Sequence, residues 1–344
     1  MKSDRARWGF IWITIASILW GISYVPKEAI WLIEPMETLW ENGGADLIEG
    51  TVAISAIQAL FFAVILFLLW SCVNGKPREV CRNFVHWPIS KWFLISAFFG
   101  GLMAMFGSTL ATAFVGADYA SAIALLSALA GAIYGRILFK EKVTHLAIIG
   151  LVILTIGGVL VLDPIAMVHE VMNPGSKDGV WLGYVGGILS AIGWGIESCY
   201  NVRGLDVADN EASTPIRYGW ECIIWFAILM PVTGAIVGFD TFYSIFAECI
   251  LSPDVFVLMI FTALSLGIAD SLLHKGYSQM GAGRGLAINS IYVPVSLVAL
   301  WVFLKDYEIS MWLIAGTIVC IIGTVVMYWE KDEIQDSVRD VDLG

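Results

Sequence analysis

Ten long apolar segments run through this chain, at approximately residues 8–31, 50–71, 92–115, 118–138, 144–162, 180–201, 216–238, 254–275, 284–304 and 308–329. Each is about the length that crosses roughly 30 Å of hydrocarbon as an α-helix. Lipid offers no hydrogen bonds to a backbone, so spanning segments must satisfy their own, which helices do. The expected fold class is an all-α polytopic membrane protein with ten transmembrane helices.

The basic residues fix an orientation. One set of helix ends holds Lys2, Arg5, Arg7, then Lys76, Arg78, Arg82, Lys91, then Arg136, Lys140, Lys142. The same side holds Arg203, Arg217, Lys275, Arg284, Lys331 and Arg339, which makes sixteen of the nineteen basic residues. Only Lys27, Lys177 and Lys305 fall on the other side. Basic residues stay cytoplasmic, so both termini are expected inside a cell (inner) membrane. The outer loop 28–49 is acidic, with Glu28, Glu34, Glu37, Glu41, Asp46 and Glu49. It attracts cations modestly, or is simply a hydrated loop. Trp31, Met36 and Trp40 suggest that part of it lies in the interface as an amphipathic segment.

Several function classes drop out. Hydrophobic residues make up 58% of 344 and charged ones 14%, which leaves no stretch for a soluble domain. The net charge of -11 comes without a basic patch, against nucleic-acid binding. Cys72, Cys81, Cys199, Cys222, Cys249 and Cys320 have neither metal nor disulfide spacing. The first apolar segment continues through Gly21, Pro26 and Lys27-Glu28 without a small-residue cleavage site, so it reads as a retained helix. Phosphate-binding glycine loops and nucleophile constellations are absent, so neither an ATP-driven pump nor an enzyme is expected. No cofactor or metal is expected.

The chain repeats itself. At an offset of 165 residues, Phe139-Lys140-Glu141 falls on Leu304-Lys305-Asp306, Gly116-Ala117 on Gly281-Ala282, Gly158 on Gly323, and Gly150 on Ala315. At an offset of 174, Leu19-Trp20-Gly21-Ile22 falls on Gly193-Trp194-Gly195-Ile196. Each half has five crossings. Five is odd, so the second half is inverted in the membrane, as in secondary transporters with a central site. The expected organisation is one repeat over 8–162, a second over 180–329, and a cytoplasmic acidic tail over 330–344.

These residues resemble the drug/metabolite transporter superfamily, specifically its EamA-type ten-helix members. The resemblance rests on Trp20-Gly21 and Trp194-Gly195. It rests also on the run from Ala120 through Ser127 to Phe139-Lys140-Glu141, followed by Gly150 and Gly157-Gly158. The second-half counterpart runs from Asn289-Ser290 through Pro294 to Leu304-Lys305-Asp306, then Gly316 and Gly323. The resemblance implies a monomer-capable carrier, with a central cavity lined mainly by helices one, three, four, six, eight and nine. Helices five and ten sit more peripherally. Family members carry amino acids, nucleotides or their sugars, sugar phosphates, choline and other amines, so the fold does not choose a substrate.

Glu197, three residues after Trp194, is the most informative candidate. A carboxylate at that depth needs water, a cation or a hydrogen-bond network around it. It can bind substrate, couple protons, or serve as a neutral hydrogen-bond partner. Asp270 and His274 are four apart on one helical face and form a second candidate, a proton-accepting pair or a cytoplasmic-end polar network. Asn289, Ser290 and Tyr292 precede Pro294, which removes a backbone donor and kinks its helix. Trp20, Tyr24 and Trp194 offer aromatic faces for an alkylammonium group. Tryptophans are also ordinary interface anchors. Lys27 is expected to snorkel outward, with Glu28 balancing its charge, or else to serve an anionic substrate. Glu221 is placed to pair with Arg217 one turn away. Asp118 opens a helix as a cap or solvent contact. Gly100-Gly101, Gly107, Ser108 and Ala111, with Ala122, Ala124, Ala128, Ala130 and Gly131, read as packing and rocking surfaces.

The expected function is alternating-access transport of a small organic cation or amine, with possible proton coupling through Glu197, Asp270 and His274. Export of an amino acid or other metabolite is the alternative, and a non-transporting sensor or scaffold is a third. Sugar phosphates are disfavoured by the scarcity of interior basic residues. The expected partners are a cationic small molecule and the lipid bilayer, with the protein a monomer or weak dimer.

Overall fold

The computed structural model describes residues 2–138, 144–161, 165, 179–280, 285, 288–304, 309–327 and 329. Lys177, Gly281-Ala282, Lys305-Asp306, Phe139-Lys140-Glu141 and the 330–344 tail lie outside them. Everything regular among the described residues is helical.

Seven helices are long and apolar enough to cross a membrane. They are α1 (Arg7–Leu32), α2 (Gly44–Val73), α3 (Trp87–Val115), α4 (Ala117–Ile137), α6 (Val180–Leu205), α7 (Glu211–Val237) and α8 (Pro253–Tyr277). Three shorter apolar helices complete the series: α5 (His145–Val161), α9 (Tyr292–Phe303) and α10 (Met311–Met327). An apolar helix lies in each expected segment, but among the described residues three of them are shorter than the expected crossings.

The packing has a regular pattern. Helix α1 packs on α8 and α9, while α6 packs on α3 and α4. Helix α2 packs on α8, and α7 packs on α3. Helices α2 and α7 touch each other, as do α5 and α10. Exchanging the first five helices with the last five leaves this set of pairings unchanged.

Small residues set the close approaches. The α5–α10 crossing is lined by Gly150, Gly157, Gly316 and Gly323. A Cβ on Gly157 would come within 2.6 Å of the Cys320 backbone nitrogen, and one on Gly323 within 2.5 Å of that of Leu154. Lipid tails compete with any apolar side chain, so contact between helices relies on such close fits. The outward faces of this pair remain apolar and exposed, at Ile149, Val152, Ile156, Ile318 and Ile322.

Two helical breaks matter for the site. The α4 ladder opens at Leu125-Leu126 and the helix approaching α9 turns at Ser290-Ile291. These breaks are 165 residues apart, the same offset as the sequence repeat. The second sits just before Pro294, which lacks the N–H that would bond the Ser290 carbonyl. Gly116, at φ 96°, supplies the left-handed corner between α3 and α4.

The outer loop departs from expectation. Trp31 and Met36 are buried in protein instead of lying in the interface. Trp40 Nε1 donates to the Ala113 carbonyl at 3.1 Å, and Ser252 Oγ donates to the Glu34 carbonyl at 3.2 Å. The loop is therefore pinned to α3 on one side and to the segment before α8 on the other.

Candidate functional site

A cavity of about 50 Å³ lies where the central helices meet. From α1, α8 and the start of α9 come Trp20, Asp270, His274, Asn289 and Tyr292. From α6 come Trp194 and Glu197. Seven of the residues singled out in the sequence therefore share one wall system. Tyr24 and Ser290 do not line it. Tyr24 stacks behind Tyr292, with ring centroids 6.2 Å apart and planes 12° from parallel. Ser290 is buried beside it. The volume holds a few waters, well short of the roughly 300–1,000 Å³ of pockets that enclose larger ligands. A larger cleft of about 340 Å³ lies between helix Pro77–Val85 and the turn after α6, but contains none of the expected residues.

The aromatic part is well formed. Trp20 and Trp194, matched in the sequence repeat, meet edge to face at 5.9 Å and 72°. Trp20 also lies 6.2 Å from Tyr292. The Tyr292 hydroxyl donates to the Ser121 carbonyl at 3.0 Å, and Ser296 Oγ donates to Ser121 Oγ at 2.9 Å. Tyr292 thus offers a ring to the cavity while its polar end fastens α9 to α4. Asn289 Oδ1 accepts from Ser17 Oγ of α1 at 3.1 Å.

Glu197 is no isolated neutral carboxyl. Its Oε1 lies 2.7 Å from Nε of Arg217, and Arg217 Nη1 donates to Glu221 Oε2. All three residues are buried. Arg217 was counted among the cytoplasmic-end basic residues; it lies inside the protein, 1% exposed. Its pairing with Glu221 follows the expected i,i+4 spacing. The reason such a cluster fits is on α3: a Cβ at Gly100 would strike the Glu197 carboxyl, and one at Gly101 would strike the Glu221 side chain. These two glycines make room for charge as well as for helix packing.

Other charged residues also move. Lys27 does not snorkel. It is 5% exposed, its ammonium 5.1 Å from the Tyr24 ring centroid, and Nζ has no hydrogen-bond partner. Glu28 does not pair with it; Glu28 Oε2 accepts from the Ala117 backbone N–H at 2.7 Å and caps α4. Asp118 is buried, so it is not the solvent contact its place at the start of α4 suggests. With Arg217 and Lys27 inside, the interior is not free of basic residues. Buried acids still outnumber buried bases among the described residues, with Asp118, Glu197, Glu221 and Asp270 against Lys27 and Arg217.

His274 crosses between helices. Its Nδ1 is 3.0 Å from Thr214 Oγ1 and its Nε2 is 3.3 Å from Asn201 Nδ2. Asn201 Oδ1 accepts from Ser96 Oγ at 2.6 Å. Asp270 Oδ1 is 3.8 Å from His274 Nε2, and Asp270 Oδ2 has no hydrogen-bond partner. Among the described residues no group of three potential ligands could hold a metal. Sequence reasoning missed Asn201 and Tyr277, which also line the cavity. The signal was there: Asn201 is four residues after Glu197, and Tyr277 is seven after Asp270, each on the same helical face.

Comparison with known proteins adds a family and a fold. No curated protein matches the chain. A solved crystal structure of a protein 17% identical to this one superposes with a TM-score of 0.55, covering 94% of this chain and 96% of the other. At that identity the likeness speaks for the fold alone. Residues 49–163, from α2 through α5, match the model of the EamA-like transporter family. The chain is a multi-pass, all-helical membrane protein that carries an EamA-like transporter family domain at residues 49–163, in keeping with the drug/metabolite transporter resemblance of its sequence.

Proposed function

We propose that this protein is a secondary active transporter that moves a small organic cation or amine by alternating access. One observation carries the reading. The carboxylates of Glu197 and Asp270 share a buried cavity with the rings of Trp20, Trp194 and Tyr292. Aromatic faces and the unpartnered carboxylate oxygen of Asp270 together favour an alkylammonium group. The cavity is small, so substrate entry requires the helices to separate around it.

In this reading the ten helices are two inverted repeats, residues 8–162 and 180–329, with the 330–344 tail and both termini in the cytoplasm of a cell (inner) membrane. The packing pattern and the matched breaks in α4 and before α9 support that reading. Glu197, Trp194, Trp20, Tyr24, Asn289, Ser290 and Tyr292 form or back the substrate site. Asp270 and His274, with Glu197, are the groups through which protons would be coupled. The protein works as a monomer or weak dimer and needs no cofactor.

Carriage of an amino acid is the second reading, favoured by one observation: Lys27 is a buried cation without a hydrogen-bond partner and can receive a carboxylate.

The test is counterflow in proteoliposomes loaded in turn with choline-like cations, polyamines, amino acids and sugar phosphates. Exchange restricted to cations is expected. Exchange of amino acids alone would replace this reading with the second. No exchange of any solute, with tight binding of a protein partner, would point to a sensor or scaffold.

A further inference from the structure

Two carboxylates face the cavity, but their surroundings differ. Glu197 belongs to a salt-bridged set. Arg217 answers Glu197 through Nε and Glu221 through Nη1, and its guanidinium carbon lies 4.1 Å from the Tyr218 ring centroid. Guanidinium is always charged and its fork is committed here to two carboxylates. The set is carried by α6 and α7 and roofed by Gly100-Gly101 of α3, so it lies within helices that pack on one another.

Asp270 lines the same cavity from α8. It is 7% exposed, and its Oδ2 is unpartnered. The nearest cationic candidate is His274, at 3.8 Å from Oδ1, beyond hydrogen-bond reach. His274 is held by hydrogen bonds to Asn201 and Thr214. Ser96 donates to Asn201 Oδ1, which turns the Asn201 amide nitrogen toward His274 as a donor. Nδ1 lies 3.0 Å from Thr214 Oγ1. Both ring nitrogens are engaged by α6 and α7, and neither makes a hydrogen bond to Asp270. A buried carboxylate left unpaired is costly, and a cation arriving beside it recovers that cost.

We propose that Asp270 is the residue that receives the cationic group of the substrate, and that Glu197 is held by Arg217 as a fixed part of the wall. The aromatic rings of Trp20, Trp194 and Tyr292 line the same cavity. The inference rests on the organic-cation reading given above and narrows it to one carboxylate.

The experiment uses the full chain in detergent with tetramethylammonium chloride as the probe, and sodium chloride at equal ionic strength as the control. Binding isotherms and thermal midpoints are read for the parent, Asp270→Asn, Asp270→Glu and Glu197→Gln. Asp270→Asn is expected to weaken tetramethylammonium binding by about tenfold or more, the scale of a lost charged contact. Asp270→Glu keeps the carboxylate and is expected to retain most of the binding. Glu197→Gln is expected to melt lower without ligand and to weaken binding by less than Asp270→Asn does. Parent-like binding in Asp270→Asn overturns the assignment while leaving the organic-cation reading intact. So does loss of binding in Glu197→Gln alone; if that variant does not fold, the two Asp270 variants decide. A parent protein that ignores the probe overturns both.

Discussion

His274 on α8 is bonded to Thr214 on α7, with Nδ1 and Oγ1 3.0 Å apart, and the other imidazole nitrogen reaches Asn201 on α6. One side chain thus ties three helices together beside the cavity. Replacement by leucine removes both bonds and leaves Asn201 and Thr214 facing an apolar group. The expected cost is about 1–3 kcal/mol, the penalty for buried polar groups left unmatched. His274→Gln keeps a donor and an acceptor and is expected to lose less. Chemical unfolding of the purified variants checks the order; equal loss in both would show that imidazole shape, not hydrogen bonding, is what matters.

Arg217 has a stronger claim on stability. Arg217→Met strips the counter-charge from two buried carboxylates at once. Breaking a buried pair from one side costs about 3–5 kcal/mol. Glu221→Gln keeps an acceptor for the guanidinium and is expected to be milder, and restoring charge balance in an Arg217→Met, Glu197→Gln, Glu221→Gln triple variant is expected to recover part of the loss. The measurement is the thermal midpoint and folded yield in detergent. A single Arg217→Met variant as stable as its parent would refute the account of the cluster.

Glycine substitutions separate a close fit from a loose one. The Cβ of Gly100→Ala overlaps the Glu197 carboxyl, whereas that of Gly131→Ala stops 3.3 Å from the Gly195 carbonyl oxygen. Gly100→Ala is expected to cost about 1–3 kcal/mol, as overpacking does. Gly131→Ala is expected to be milder. Comparing the two unfolding midpoints checks the reading directly.

The sequence announced the helices because lipid imposes a long, legible apolar pattern. It also announced Trp20 and Trp194, because the repeat marks them as equivalents, and they meet at the cavity. Glu197, Asp270 and His274 stood out as polar residues in apolar runs. Their division of labour did not. Glu197 is answered by Arg217, twenty residues away in the chain and on another helix. Arg217 itself looked like a helix-end residue, since positive residues near helix starts usually mark the cytoplasmic side. The snorkelling expectation misplaced Lys27, whose long side chain turns inward over Tyr24 instead of outward to the interface. Hydropathy reports how far along a helix a residue lies, not which way its side chain faces; the glycines that open space for these charges become meaningful only once α3 is laid against α6 and α7.

At the helix ends outside the membrane, Lys76 bridges Asp209 at 2.9 Å and Glu211 at 3.0 Å, joining the turn after α2 to the start of α7. Hydrogen bonds and charge attraction to these two carboxylates hold the lysine above its ordinary range. A lysine whose folded pKa is raised contributes stability that is fully present below its unfolded value, about 10.4, and lost as pH rises through the higher folded one. The bridge is therefore complete at neutral pH and indifferent to mild acid until its carboxylates protonate. The Lys76 side chain is 28% exposed and Asp209 63%, so screening keeps the contribution small. Lys76→Ala is expected to cost no more than about 1 kcal/mol at low salt. That difference is expected to shrink toward zero by about 1 M sodium chloride, where the screening length is about 3 Å. Unfolding midpoints of the parent and variant across a salt series check this, and a larger loss that persists at high salt would mean that the lysine stem packs the two segments together instead of joining them by charge.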